Sequence, residues 1–521
     1  MEGHSQFLLS ILREPAFYPH HPDEVSVIET HISWVFLAGD LVYKCKKPVR
    51  FDFLDFSTLD RRKQACEDEV RLNRRLAPQV YLGVVPVTQA GQCLQLNGTG
   101  PIVEWSVEMR RLPTAATLDQ KLWRGELTSA DITSLADLLR PFFQTCPPIA
   151  ISPRLYREQL VAHVQQNRRE LLAAAHQLPG EVIKRIHAAQ LQLLQLHGEI
   201  FDERIRAGKI IEGHGDLRPE HICCGERPAI FDCLEFSSEL RTLDVADELA
   251  FLAMECDHLG APWIGAQLFD LLRAAIGEQT PAPLISFYKS YRACVRAKVA
   301  ALRAEQLTGV AREAAVCQAR NYLALADAYL ADAEPPLLLA IGGLSGSGKS
   351  SLARSLGDAL GAEVLRTDVI RRQLFPEVAA SPLDGGAYQP ASRAEVYAAL
   401  LRQAEETLLA RRPVILDATF ADQEQISAAY AAARRAAAPF LAVECQCPAD
   451  VAIQRMRARA AAGGDVSQAD ERVYHQQRQS WQPWPGGIPQ KQVSTTLPVP
   501  ASTEQVLQAL ERNRTAARGR R

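Results

Sequence analysis

No run of about 18 apolar residues occurs in the chain, so no membrane-spanning helix is expected. The opening MEGHSQFLLSILREP lacks a basic start followed by a long apolar run, and it does not read as a signal peptide. The twelve cysteines include no C-x-x-C pair; Cys223 and Cys224 are adjacent and Cys445 and Cys447 flank one residue, neither of which is structural zinc spacing. Reduced thiols in a cytoplasmic protein are therefore expected. Charge of one sign is also missing: 58 Lys and Arg stand against 61 Asp and Glu, a formal net charge of -3. Nothing global thus favours a nucleic-acid or membrane partner. The basic end RNRTAARGRR reads as a frayed, solvated tail, with an RNA-binding arm as the alternative. No fixed-period repeat is present.

What remains is ordinary globular composition, 47% hydrophobic and 23% charged, in 521 residues. That length exceeds one core and predicts two or three domains. Residues 30–112 alternate short β-rich runs with turns: HISWVFL and LVYKCKK around Gly39-Asp40 read as a hairpin, and YLGVVPV and VEWSVEMRRL as two more strands. A charged helical segment runs from about Thr58 to Leu76. From about Leu118 to Ala333 helical spacing dominates, interrupted by the β-like pieces ICC and AIFDCLEF. Pro335-Pro336 cannot continue a helix and marks a domain junction. Beyond it LLLAIGG, EVLRTD, PVILDATF and FLAVECQCP read as buried strands separated by helices, the pattern of a parallel α/β sheet. The expected division is 1–333, 334–500, and a helical end with a basic tail over 501–521.

The strongest motif is Gly343-Leu344-Ser345-Gly346-Ser347-Gly348-Lys349-Ser350, which fits G-x-x-x-x-G-K-[ST] and lies between an apolar strand and the helix that continues through Ser351. Such a loop turns backbone amides inward around phosphates, with a helix N-terminus behind them. Lys349 would reach the β- and γ-phosphates of ATP, and Ser350 would hold Mg2+. Downstream, Asp368 ends a strand segment and Arg371 lies one helical turn on; ligands of open α/β sheets bind at the carboxyl ends of the strands. Asp368 could take or orient the proton of an attacking hydroxyl, or simply cap a helix. Asp417 ends a further strand, where a carboxylate would sit near Mg2+, and the alternative is again a cap. Arg455 and Arg459 share one helix face and could close over ATP, with a solvated basic face as the alternative. GGDVSQAD after them reads as a flexible lid.

These residues, from about Leu337 to Gln476, resemble the small P-loop kinases described as zeta-toxin-like or polynucleotide-kinase-like. The resemblance implies Asp368 as base or hydroxyl-orienting residue, Arg371 at the acceptor, and Arg455 and Arg459 as lid arginines. The acceptors of that group are diverse hydroxyl compounds, so the resemblance leaves the acceptor unnamed.

A second constellation is His214-Gly215-Asp216-Leu217-Arg218-Pro219-Glu220-His221, followed by Ile230-Phe231-Asp232. Two aspartates at strand ends suit proton acceptance by Asp216 and Mg2+ binding by Asp232. Lys44 on a strand and Glu69 in the next helix suit a phosphate-positioning pair. Over roughly residues 25–330 these features resemble the aminoglycoside phosphotransferase family, which implies a protein-kinase-like α+β fold, with a hinge around Glu108 and Met109, and Asp244 and Asp247 as structural or acceptor-side acids. Glu235, Glu239, Asp244 and Asp247 could contribute to an acidic acceptor pocket, but the sequence does not place them together. The sequence departs from the family at His221, where the resemblance calls for an Asn metal ligand; Mg2+ prefers oxygen.

The whole chain is thus similar to a bacterial fusion type, a multidomain protein with a kinase-like N-terminal domain and an α/β P-loop domain built on a parallel sheet. The expected activity is ATP-dependent, Mg2+-assisted phosphorylation of a hydroxyl on a small molecule or nucleotide. The alternative is a nucleotide-responsive regulatory protein with a non-catalytic N-terminal kinase fold.

Overall fold

The computed structural model describes residues 2–51, 54–91, 93–173, 177–225, 227–277, 279–376, 389–462 and 471–518. They group into two compact units, one of residues 1–152 with 203–293 and the other of residues 153–202 with 294–521.

The first unit is built around a six-stranded antiparallel sheet. Its strands are β1 (Val25–Glu29), β2 (Ser33–Ala38), β3 (Leu41–Lys46), β4 (Tyr81–Ala90), β5 (Cys93–Leu96) and β6 (Ile102–Arg110), in the order β1-β2-β3-β6-β4-β5. The expected hairpin is β2–β3: Ala38 pairs with Leu41 across a turn in which Gly39 takes φ +60°. Helix α1 (Leu59–Asn73), capped by the Thr58 side chain, lies between β3 and β4 in the chain. Of the two β-like pieces near the HGDL motif, only Ile222–Cys223 and Ala229–Ile230 pair, as a minimal antiparallel ladder. Helix α2 (Val245–His258) then buries nearly its whole surface.

The second unit carries the parallel sheet. It comprises β7 (Leu338–Gly342), β8 (Glu363–Arg366), β9 (Val414–Asp417), β10 (Phe440–Gln446) and β11 (Gln490–Ser494), in the order β8-β9-β7-β10-β11. Helix α3 (Lys349–Leu360) follows β7 and α4 (Thr367–Leu374) follows β8; α5 (Ala449–Ala462) and α6 (Glu471–Ser480) follow β10, and α7 (Val499–Arg518) follows β11. The end expected to fray is helical as far as Arg518.

Packing divides the chain differently from the junction expected at Pro335-Pro336. The helices Pro153–Leu171, Gly180–Leu196 and Gly309–Ala328 belong with the P-loop unit. The reason is burial. Leu196 joins the apolar cluster of Leu337, Leu339, Leu356 and Leu360, and Arg185 forms a two-pronged pair with Asp327 at 2.9 and 2.7 Å. Gly361, at φ +64°, backs so closely on Ala188 that an added Cβ would stand 2.9 Å from its Cα. No helix among the described residues is long and apolar enough to cross a membrane.

Candidate functional site

Strand β7 is buried at every position and delivers the chain into the P-loop. Gly343, Gly346 and Gly348 take φ +140°, +77° and +87°, conformations that L side chains rarely adopt. A Cβ on Gly343 would also lie 2.6 Å from the Cys445 carbonyl oxygen. Ser345 and Ser347 are buried, and the Ser347 hydroxyl has no hydrogen-bond partner. Lys349 opens α3, with Ser350 and the exposed Ser351 in its first turn. Among the described residues Lys349 and Ser350 make no hydrogen bond or ion pair, so an ammonium and a hydroxyl stand available at a helix N-terminus.

Asp417 ends β9 and pairs in register with Ile341 of β7, which brings it to the same sheet edge as the P-loop. It caps no helix; the next one is capped by Asp422, which accepts from the Gln425 amide at 2.9 Å. Arg366 Nε donates to Asp417 Oδ2 at 3.2 Å, while Oδ1 is buried without a partner. An orphaned carboxylate oxygen and a nearby-in-sequence-motif hydroxyl, Ser350, are hard oxygen donors of the kind Mg2+ takes, the rest of its shell being water and phosphate. Among the described residues no group of three or more His, Cys, Asp or Glu side chains is placed to hold a metal.

Asp368 is not a cap either. Strand β8 stops at Arg366, which occupies the N-cap position of α4, and Asp368 sits inside the first turn. Its Oδ1 accepts from Arg371 Nη1 at 2.9 Å. Arg455 Nη2 donates to the Thr495 carbonyl at 2.7 Å, and the Thr495 hydroxyl donates to the Ser347 carbonyl at 2.5 Å, so Arg455 is linked to the P-loop through Thr495. Arg459 lies one turn further along α5 and is half-buried. The expected lid GGDVSQAD lies outside the described residues.

Sequence reasoning missed three contributors to this edge: Thr495, Gln477 and Arg478. The Ser345 amide donates to Gln477 Oε1 at 2.8 Å. A cleft of about 560 Å³ flanks the P-loop, with Arg478 in its wall. Thr495 follows β11, a strand whose polar sequence QKQVS gives no apolar signal.

In the first unit, Lys44 and Lys46 are two apart on β3 and so project from one face of the sheet. Glu69 from α1 meets both, Oε1 at 2.8 Å from Lys44 Nζ and Oε2 at 2.5 Å from Lys46 Nζ. Lys44 continues to Asp232 at 2.7 Å, and Lys46 to Glu235. The expected pair is thus part of a five-member chain of alternating charge, in which Lys46 was not foreseen. Asp232 takes φ +60°, a conformation Asp tolerates better than most residues. Burial opposes its charge, but Lys44 and then His221 outweigh burial and hold the carboxyl well below the usual range.

Asp216 Oδ1 lies 2.9 Å from Arg218 Nε. His221 Nδ1 is 3.0 Å from the Asp216 carbonyl and its Nε2 is 3.0 Å from Arg218 Nη2. Asp232 Oδ2 is 3.7 Å from that Nε2. Both ring nitrogens are therefore engaged by protein groups.

The idea of an acidic acceptor pocket is corrected by the ion pairs. Asp244 caps α2 and is held by Arg204 at 2.6 Å; Asp247 is paired with Arg292 at 2.7 Å; Glu235 is paired with Lys46. All three are buried or nearly so and serve the structure. Glu108 and Met109 lie within β6, where Glu108 accepts from the Tyr43 hydroxyl at 2.9 Å.

Glu248 of α2 holds the HGD turn by accepting from the His214 amide at 2.6 Å and the Gly215 amide at 3.1 Å. Burial, partly offset by Arg292, pushes its pKa up to about 7. A carboxyl whose folded value lies above its unfolded value contributes stability at low pH that is lost as pH rises through the folded value. Its share is on the order of 3 kcal/mol, falling away between about pH 4.5 and pH 7. Glu248→Gln keeps an acceptor oxygen but cannot ionise. Thermal melts across that range should show a shallower decline with pH in the variant than in the wild type; parallel profiles would refute the assignment.

Comparison with known proteins places these sites in context. Residues 338–484 match the family model described as an AAA domain. The gluconokinase from Sinorhizobium meliloti is 19% identical, with 36% of this chain and 97% of that chain covered and a TM-score of 0.29. A choline/ethanolamine kinase family protein from Mesorhizobium loti is 13% identical, with 62% and 99% covered and a TM-score of 0.37. The uncharacterized proteins Rv2004c of Mycobacterium tuberculosis and Mb2027c of Mycobacterium bovis are each 34% identical over 457 residues, spanning 85% of this chain and 88% of theirs. At that identity and coverage, the chain belongs to the same family as these mycobacterial proteins.

Proposed function

We propose that the protein is an ATP-dependent phosphotransferase whose C-terminal unit transfers a phosphoryl group to a hydroxyl of a small molecule or nucleotide. The observation that carries this reading is the buried Oδ1 of Asp417 at the P-loop edge, which has no hydrogen-bond partner among the described residues. In this reading the loop from Gly343 to Ser351 and the Lys349 ammonium bind the phosphates, Ser350 and Asp417 share Mg2+, and Asp368, steered by Arg371, receives or orients the acceptor hydroxyl. Arg455 and Arg459 shield charge as it develops on the transferring group.

The test is Lys349→Ala in the full-length protein. Nucleotide affinity should fall by at least about tenfold, the scale of one strong charge-assisted contact. Equal MgATP binding in calorimetry, with equal turnover, would exclude the P-loop assignment. The acceptor is sought by mass spectrometry of a metabolite extract incubated with protein and labelled ATP.

For the first unit we propose a second ATP site of weaker or more specialised character, with Asp216 as base, Asp232 on the metal, and Lys44 and Glu69 on the phosphates. The specific observation behind "weaker" is that Asp232 is bridged to Lys44 and both nitrogens of His221 are engaged. A regulatory unit that binds nucleotide without transferring phosphate is the second reading consistent with that geometry.

A further inference from the structure

Several arginines of the C-terminal unit have protein partners. Arg455 is bonded to Thr495, Arg457 to Glu471 at 2.8 Å, Arg371 to Asp368 and Arg366 to Asp417. Helix α6 differs. Tyr474, Gln477, Arg478 and, just past its end, Trp481 recur at the three- and four-residue spacing of one helical face. Tyr474, Arg478 and Trp481 line the cleft of about 560 Å³ together with Gly343, Leu344 and Ser347 of the P-loop. Arg478 is exposed and makes no hydrogen bond or ion pair among the described residues. Glu444, in the same cleft, accepts from the side-chain amides of Gln446 at 3.1 Å and Gln492 at 2.9 Å and forms no ion pair with Arg478. Ser347, facing this cleft, has the buried unpartnered hydroxyl. The helix is fastened at this spot by a bond in which the Ser345 amide donates to Gln477 Oε1, spanning 132 residues of sequence.

We propose that α6 is the phosphate-gripping arm of the C-terminal unit: Arg478 contacts the terminal phosphate of ATP, and Gln477 is the positioning residue that ties the helix to the P-loop. This rests on the phosphotransferase reading above. A guanidinium at the terminal phosphate adds charge-assisted bonds that a diphosphate cannot receive. It therefore separates ATP from ADP at the level of binding, before any transfer.

The experiment is calorimetric titration of the full-length protein with MgATP, MgADP and a non-hydrolysable MgATP analogue, with melting temperatures measured on the same preparations. Arg478→Ala should weaken ATP and the analogue about tenfold or more, and ADP less than about twofold. Arg478→Lys should fall between. Gln477→Ala should shift the ATP-to-ADP ratio in the same direction by a smaller factor, with an unchanged melting temperature. An unaltered ratio in Arg478→Ala, or equal losses for both nucleotides, overturns the role of Arg478. An unaltered ratio in Gln477→Ala overturns the anchoring role. The failures are distinguishable from that of the parent reading: if Lys349→Ala weakens both nucleotides while Arg478→Ala matches the wild type, only this inference falls. A wild type that binds neither nucleotide refutes both.

Discussion

Asp368→Asn should lower phosphoryl transfer by about a hundredfold or more, the usual scale for a positioned acid or base, while MgATP affinity stays within about twofold. Asp368 lies in the first turn of α4, at the carboxyl edge of a parallel sheet whose central strand feeds the P-loop, yet it neither caps the helix nor closes the phosphate loop. Its Oδ1 accepts from Arg371, at 2.9 Å. Asn preserves the shape and one acceptor oxygen for that arginine but cannot take a proton. A structural role would therefore appear as a shift in melting temperature with transfer intact. Single-turnover transfer rates and calorimetric affinities from one preparation separate the outcomes; full transfer activity in the variant would end the assignment.

The second large effect concerns stability. Glu69 is fully buried, and its two oxygens face two buried lysines. Glu69→Gln keeps the volume but removes the only charge shared by both ammonium groups, leaving Lys44 to Asp232 and Lys46 to Glu235. Breaking a buried ion pair by neutralising one partner costs about 3–5 kcal/mol, because the remaining charge stays desolvated. In a unit of this size that corresponds to a fall of roughly 6–12 °C in its melting transition. Scanning calorimetry of the full-length variant measures it. A change below about 1 °C would mean that Lys44 and Lys46 are neutralised adequately without Glu69, and that the alternating chain is not a cooperative unit.

Local chemistry explains which parts were readable in advance. The P-loop needs three glycines at positive φ within six residues, then Lys and Ser at a helix start, and all of that is contiguous, so the sequence alone determined it. The β2–β3 hairpin was legible for the same reason, since Gly39-Asp40 supplies the turn between two β-rich runs. The parallel sheet was legible from four apolar strands, but its fifth, β11, was not, because an edge strand reading QKQVS buries little and carries no apolar pattern. With it went Thr495, which joins Arg455 to the loop.

Tertiary structure alone decided the rest, wherever function depends on pairs distant in sequence. Asp417 was a cap or a metal ligand until the register against β7 and an unpartnered oxygen distinguished its surroundings. Gln477 is unremarkable in sequence and meets the P-loop only through the fold. Lys46 was hidden because nothing local marks which of two alternating lysines a buried glutamate will bind, and it binds both. The compact units do not divide at Pro335-Pro336 for a related reason: a proline pair breaks a helix locally, but where a helix packs is set by the apolar face it buries, and the segment 153–202 buries its own in the P-loop unit.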